Sequence, residues 1–168
     1  MENAVKLYSL SLREAKTYVF ATLFIAGNIV LPYVAHFFFG VNGGLTLLPI
    51  YFFTLIAAYK YGIRVGLLTA VLSPVVGSIL FPAMPIAAIL VKSSLLAVAA
   101  SYFAYKAEKV SLLAILAAIV SYQIIGSAIE WTMVGNFAAA VQDFRIGIPG
   151  MLVQLFCGYF VLKALAKL

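Results

Sequence analysis

Residues Leu45–Phe81 read LTLLPIYFFTLIAAYKYGIRVGLLTAVLSPVVGSILF, two apolar arms joined by the short basic turn Tyr59-Lys60-Tyr61-Gly62-Ile63-Arg64. Each arm is near the ~20 residues that a helix needs to cross a bilayer. Gly62 interrupts the pattern. Gly62-x-x-x-Gly66-x-x-x-Ala70 then lines small residues along one face of the next arm. Such a face lets two helices approach closely in lipid, where packing drives association. Lys60 and Arg64 orient the turn toward the cytoplasm, the side on which basic residues are retained. The rest of the topology counts outward from this hairpin.

The whole chain shares the character of the hairpin. Of 168 residues, 65% are hydrophobic and 10% charged, and the mean hydropathy is +1.14. This is the composition of an integral membrane protein, and the length suits one domain of about six helices. The net charge of +6 does not point to nucleic acid, because the basic residues sit in short turns and tails rather than in a stripe. The single cysteine, Cys157, lies within an apolar span and reads as a packing residue. Residues 1–16, MENAVKLYSLSLREAK, are amphipathic and lack the continuous apolar core of a signal peptide. They are expected to form a short interfacial helix leading into the first span.

Six spans are expected, at about Thr17–Phe39, Leu45–Tyr61, Ile63–Phe81, Met84–Tyr105, Val110–Val134 and Ile146–Leu165. With the N-terminus inside, the inner regions hold Lys6, Arg13, Lys16, Lys60, Arg64, Lys106, Lys109, Lys163 and Lys167. The outer loops hold only Arg145, and Lys92 falls within span four. Nine of the eleven basic residues are then cytoplasmic, as the positive-inside rule requires, and both termini face the cytoplasm. The outer connections are His36–Gly44, a tight Phe81–Pro85 corner, and the longer Gly135–Gly147 loop with Asn136, Gln142, Asp143 and Arg145. Loops of the last kind either merely connect spans or act as lids over a site.

Two ionisable side chains lie within spans: Lys92 near the midplane and Glu130 about 6 Å below the outer end of its span. An intramembrane charge costs at least ~2.5–3.5 kcal/mol by insertion scales unless it pairs or meets water. The two either form a register-fixing bridge or flank a cavity, Lys92 toward an anionic group and Glu130 toward a donor or cation. Gln123, Ser127 and Glu130 recur at i, i+4 and i+7 and share a helix face, flanked by Tyr122 and Trp131. Gln154 of span six, and Asn28 and His36 of span one, are further candidates for a pocket in the outer half, and Asn136 adds a polar group from the loop. Aromatic walls with a few placed polar groups suit a small-molecule site. The bland alternatives are an interfacial anchor for Trp131 and interhelical hydrogen bonds for Asn28, Gln123 and Gln154.

Several chemistries lack their motifs. There is no phosphate-binding glycine-lysine loop, no HExxH, no paired-cysteine metal spacing and no GxSxG elbow. Glu130 is the one acid within the spans, so these spans supply no carboxylate pair. The expectation is a protein without catalysis of its own, without a cofactor and without a metal.

The pattern resembles the substrate-binding S component of energy-coupling-factor (ECF) vitamin transporters. Six short spans with both ends inside carry the likeness. So do Leu48-Pro49-Ile50-Tyr51-Phe52-Phe53, the run Ala58-Tyr59-Lys60-Tyr61-Gly62-Ile63-Arg64-Val65-Gly66-Leu67-Leu68-Thr69-Ala70, then Leu72-Ser73-Pro74, Met84-Pro85 and Leu90-Val91-Lys92-Ser93. The resemblance covers nearly the whole chain. It implies a subunit of a prokaryotic cytoplasmic membrane that binds a vitamin or related micronutrient from outside. It also implies partners, namely a transmembrane coupling protein and two ATPases, and a toppling motion that releases substrate inside. The outer loops Phe37–Gly44 and Gly135–Gly147 would help to close the site. Where the family often docks through an Ala-x-x-x-Ala face, this chain offers Thr17-x-x-x-Ala21 and Thr22-x-x-x-Ala26. Docking is therefore expected at Thr17, Ala21, Thr22, Ala26, Gly62 and Gly66. A six-span membrane scaffold of a cell-shape complex and a solo small-solute carrier are the alternatives. Lys92 favours a carboxylate- or phosphate-bearing ligand and the aromatics favour a ring.

Overall fold

Long runs of Leu, Ile, Val, Ala and Phe with few charges make helices wherever they are free of Pro and Gly breaks, and they do so here. A computed structural model describes residues 9–40, 43–80 and 85–167, and among these every regular element is helical. In chain order they are α1 (Ala15–Phe39), α2 (Gly43–Leu47), α3 (Phe52–Tyr61), α4 (Ile63–Leu80), α5 (Ile86–Ala107), α6 (Leu112–Val134), α7 (Phe137–Ala140), α8 (Gln142–Ile146) and α9 (Ile148–Leu165). Five of them, α1, α4, α5, α6 and α9, are long and apolar enough to cross a membrane. Their outward faces are apolar too: Val19, Leu23, Val30, Ile79, Leu113 and Phe160 are all exposed. A helix that is hydrophobic all round needs either a core or lipid around it, so the bundle is consistent with a membrane protein.

The segment expected as span two is not one helix. Helix α2 stops at Leu47, Leu48 adopts a left-handed conformation (φ 47°, ψ 43°), and Pro49–Tyr51 make a single 3-10 turn before α3 begins. Pro49 is the cause. Its ring clashes with the preceding turn of a helix, and it disfavours the helical conformation at the residue before it. Helix α3 has ten residues, about 15 Å of rise, half of a ~30 Å hydrocarbon core. It is also the most enclosed element, with every residue but Phe53 buried, and α1, α4, α5 and α9 pack around it.

A break at this depth exposes backbone groups that lipid cannot satisfy; irregular backbone survives there only when protein covers it. Two helices supply that cover. Asn28 of α1 accepts the Phe53 N–H through Oδ1 (3.0 Å), and its Nδ2 donates to Thr54 Oγ1 (3.0 Å) and Ser73 Oγ (3.2 Å). It thus caps α3 from a neighbouring helix, in place of the absent side-chain cap of α3 itself. From the other side, Gln154 of α9 donates Nε2 to the Leu48 carbonyl at 3.4 Å. Gly150 lets α9 approach the backbone of Leu47 so closely that a Cβ there would overlap it.

The opposite end of the bundle gathers the basic turns. The Leu10 N–H donates to the Tyr61 carbonyl (3.4 Å) and Arg64 Nη1 to the Leu10 carbonyl (3.2 Å). Tyr59 donates its hydroxyl to the Lys109 carbonyl (2.8 Å) and accepts the Ser111 N–H (3.1 Å), tying α3 to the α5–α6 turn. Residues 9–14 are a non-helical lead-in, whereas the rest of the expected amphipathic helix, residues 1–8, lies outside the described residues, as do 81–84 of the expected Phe81–Pro85 corner. Cys157 is exposed on α9 rather than packed inside, because its neighbours Gln154 and Gly158 take the buried face. Lys60, read from the sequence as part of a surface turn, ends α3 with its side chain buried.

Replacing Asn28 by leucine keeps the branching of the side chain, at some gain in volume, and removes all three bonds. We expect the detergent-solubilised protein to lose about 1–3 kcal/mol, the cost of stranding buried polar groups, read as a lower thermal midpoint. Leucine at exposed Thr22 serves as the control. Equal midpoints for the two variants would show that α3 does not depend on this cap.

Candidate ligand-binding site

The charged residues singled out by the sequence meet in the half of the bundle that contains the break. Lys92, in the second turn of α5, is enclosed to 1% exposure. Its stem lies across α6 at Gly126, where an added Cβ would come within 2.7 Å of Lys92 Cγ. Only glycine at this position lets the stem pass. Beyond it the ammonium reaches Glu130 Oε2 at 2.6 Å and Asp143 Oδ2 at 2.8 Å.

Asp143 arrives by a folded-back connection. Gly135 ends α6 with φ at 71°, a conformation that glycine adopts without the steric cost of a Cβ. Asn136 then caps α7, accepting the Ala139 N–H at 3.2 Å. Helix α8 follows and presents Asp143 from its first turn. The Gly135–Gly147 loop is therefore anchored to the transmembrane core through one ion pair. The carboxylate pair that the spans alone do not supply is completed by this loop.

Beside the ion triad stand two enclosed tyrosines. The rings of Tyr51, from the 3-10 turn, and Tyr122, from α6, have centroids 5.4 Å apart at 45°. Tyr122 donates its hydroxyl to Gln154 Oε1 at 3.4 Å, and Tyr51 is within electrostatic reach of Asp143 and Glu130. Gln123 is fully buried with neither amide atom partnered among the described residues, and the buried Ser127 Oγ is likewise unpartnered. Both share the helix face of Glu130. A buried polar group left without a partner costs on the order of 1–3 kcal/mol, so their presence in an otherwise apolar helix calls for a physical reason.

The candidates therefore divide. Lys92, Tyr122, Gln123, Ser127, Glu130 and Gln154 are all interior, and Gln154 is occupied at both ends of its amide. Asn28 is committed to the cap of α3. His36 is exposed on the last turn of α1, and Trp131 is half exposed and packs edge-to-face on Phe137 at 5.4 Å. Asn136 is exposed and serves as a helix cap. Tyr51 and Gly126 belong with the interior group, and Asp143, named in the sequence only as part of the outer loop, joins it from its partly exposed rim. Of the expected docking residues, Thr17, Ala21 and Gly66 are buried within the bundle. Thr17 donates to the Ser11 carbonyl, and a Cβ on Gly66 would meet the Cβ of Ala58 at 2.5 Å. Gly62 lines an open groove of about 390 Å³ at the basic end, together with Tyr59, Ser101, Tyr102 and Tyr105. Thr22 and Ala26 remain on the outer surface.

No family model matches the chain, and no curated protein or solved structure matches it either.

Removing one member of a buried ion pair strands the other charge, at a cost of about 3–5 kcal/mol. Lys92→Met should therefore destabilise strongly in thermal unfolding. The triple variant Lys92→Met/Glu130→Gln/Asp143→Asn should recover most of the loss. A triple variant no more stable than the single one would mean that the two carboxylates are not what Lys92 holds in place.

Proposed function

We propose that this chain is the membrane-embedded substrate-specificity subunit of an ECF-type importer. It binds a vitamin or related small micronutrient from outside, for ATP-driven uptake by a coupling protein and two ATPases. In this reading the broken segment counts as the second of six crossings, both termini are cytoplasmic, and the membrane is the cytoplasmic membrane of a prokaryote. The chain performs no catalysis of its own.

The observation that carries the reading is the joining of span and loop at Lys92. An ammonium deep in α5 holds one carboxylate from α6 and one from the outer connection, next to buried polar groups without partners. Ligand sites combine enclosed aromatic walls with a few converging polar groups, and ionisable residues at membrane depth are functional by default. A structural scaffold needs only a two-body bridge to fix helix register. Engaging the loop as well makes the closure of this end depend on the same cation that lines the interior.

Thermal stabilisation of the purified protein against a panel of vitamins and their precursors tests the reading. A true ligand at a hundredfold excess over its Kd adds about 2.7 kcal/mol to the folded state. A folded protein that no compound stabilises would sink the binding-subunit reading and favour the scaffold. Docking is tested separately. Of the expected docking residues on α1, Thr22 and Ala26 are left facing outward, so Ala26→Trp should abolish co-purification with the coupling protein. Intact assembly would exclude this face.

A further inference from the structure

The three charges at the heart of the site do not cancel. Two of the chain's five acidic residues converge on one lysine, and the cluster carries a formal charge of −1 in a protein whose net charge is +6. Among the described residues, Lys92 is the cation placed against these carboxylates.

Accessibility is divided in the same sense. Lys92 is 1% exposed, whereas Glu130 and Asp143 keep 15% and 19% of their side-chain surface open. An incoming molecule meets the side chains of Asp143 and Glu130 before it meets the ammonium, although Glu130 Oε2 itself is buried. An anion would have to displace one of them from Lys92, leaving it uncompensated near the protein interior, or add a third negative charge beside them. Either is strongly unfavourable where the local dielectric is low. A cation requires no displacement and brings the cluster to neutrality. The neighbouring Tyr51 and Tyr122 add electron-rich ring faces, which attract cations rather than anions.

Gln123 and Ser127 supply an independent indication. Both are nine-tenths or more buried, both are unpartnered, and both lie on the face of α6 that leads to Glu130. An amide and a hydroxyl each donate and accept, which suits a neutral polar edge rather than a second charge. We propose that the ligand is a cation, with its positive nitrogen held by Glu130 and Asp143 and its uncharged hydrogen-bonding edge read by Gln123 and Ser127. Lys92 then acts as the strut that fixes the two carboxylates rather than as the group that recognises the ligand. This rests on the binding-subunit reading above and inverts the ligand charge that an isolated intramembrane lysine suggests.

The test compares probes of defined charge on the full-length purified protein. Thiamine, pyridoxamine and spermidine serve as cations, biotin and pantothenate as carboxylates, and riboflavin as a neutral ring. Thermal stabilisation is read first, then Kd by calorimetry. The expected result is stabilisation confined to one or more cations. Asp143→Asn, a change at the partly open rim, should weaken that binding by about tenfold or more, since a hydrogen bond to a charged group is lost. Added salt should weaken binding in the wild type more than in this variant. Stabilisation by biotin, pantothenate or riboflavin alone would overturn the cation assignment and leave the binding-subunit reading standing. Cation binding indifferent to both Asp143→Asn and Glu130→Gln would also overturn the assignment. A folded protein stabilised by none of the probes, nor by any compound in the wider vitamin panel, would end both.

Discussion

The interaction on which the rest of the structure depends is the capping of a broken helix inside an apolar bundle. Pro49 forces the break, which leaves the Phe53 N–H outside the helix ladder and the Leu48 carbonyl held within the chain only by the Tyr51 N–H of the 3-10 turn (3.2 Å). Asn28 and Gln154 answer these groups from opposite sides. In lipid the Phe53 N–H would have no water to turn to, so the segment is suited to the centre of a ring of helices. This explains why α3 is the hub of the bundle although it is half the length of its neighbours. It also explains why polar side chains recur on α1, α4 and α9 at positions facing it. Asn28, Ser73 and Gln154 are buried because the backbone they serve is buried.

The break has a second consequence, because it positions chemistry. A continuous helix through residues 43–61 would carry Tyr51 around its axis in the ordinary register. The left-handed residue and the 3-10 turn instead set Tyr51 against Tyr122, and Gln154 is shared between the Tyr122 hydroxyl and the Leu48 carbonyl. The aromatic wall and the break are thus one hydrogen-bonded unit. Next to that unit, Gly126 admits the Lys92 stem, and the ammonium gathers the end of α6 and the start of α8. Polar side chains are therefore divided in use: Asn28 and Gln154 bond to the backbone of the break, whereas Gln123 and Ser127 have no partner among the described residues.

The architecture was legible where hydropathy and length decide it. Five helices long enough to span lie within a few residues of the expected segments, and Lys92 and Glu130 stood out because charge in an apolar span is costly. The break was signalled by Pro49, but its meaning depends on which neighbours can satisfy the freed backbone, and that is a tertiary fact. Asp143 was named only as one polar residue of the outer loop, for a related reason. In a polar loop an aspartate is unremarkable, and only the fold-back through Gly135 and the Asn136 cap brings it to Lys92. Small-residue spacing was ambiguous in principle. Thr17 and Ala21 turn inward while Thr22 and Ala26 turn outward, because a repeat of four identifies a face without saying what that face meets.

The two ends of the bundle are built differently, and the difference bears on where motion is possible. At the basic end, Tyr59 bonds to two backbone groups of the α5–α6 turn, while Leu10 and Arg64 knit the lead-in to α3 and α4. These bonds cross-link α3 to the α5–α6 turn and to the lead-in of α1, and α4 to that lead-in, so several elements are held together at this end. At the other end, the α6–α9 connection consists of helices of four and five residues, too short to be stable by themselves. Among the described residues, its ionic link to the spans is the single Asp143–Lys92 contact. Local stability follows the density of such links. Parting the loop from Lys92 therefore breaks that ion pair while Glu130 remains on the ammonium. The buried lysine keeps one counter-ion as the loop parts, and the charge that is released is a carboxylate.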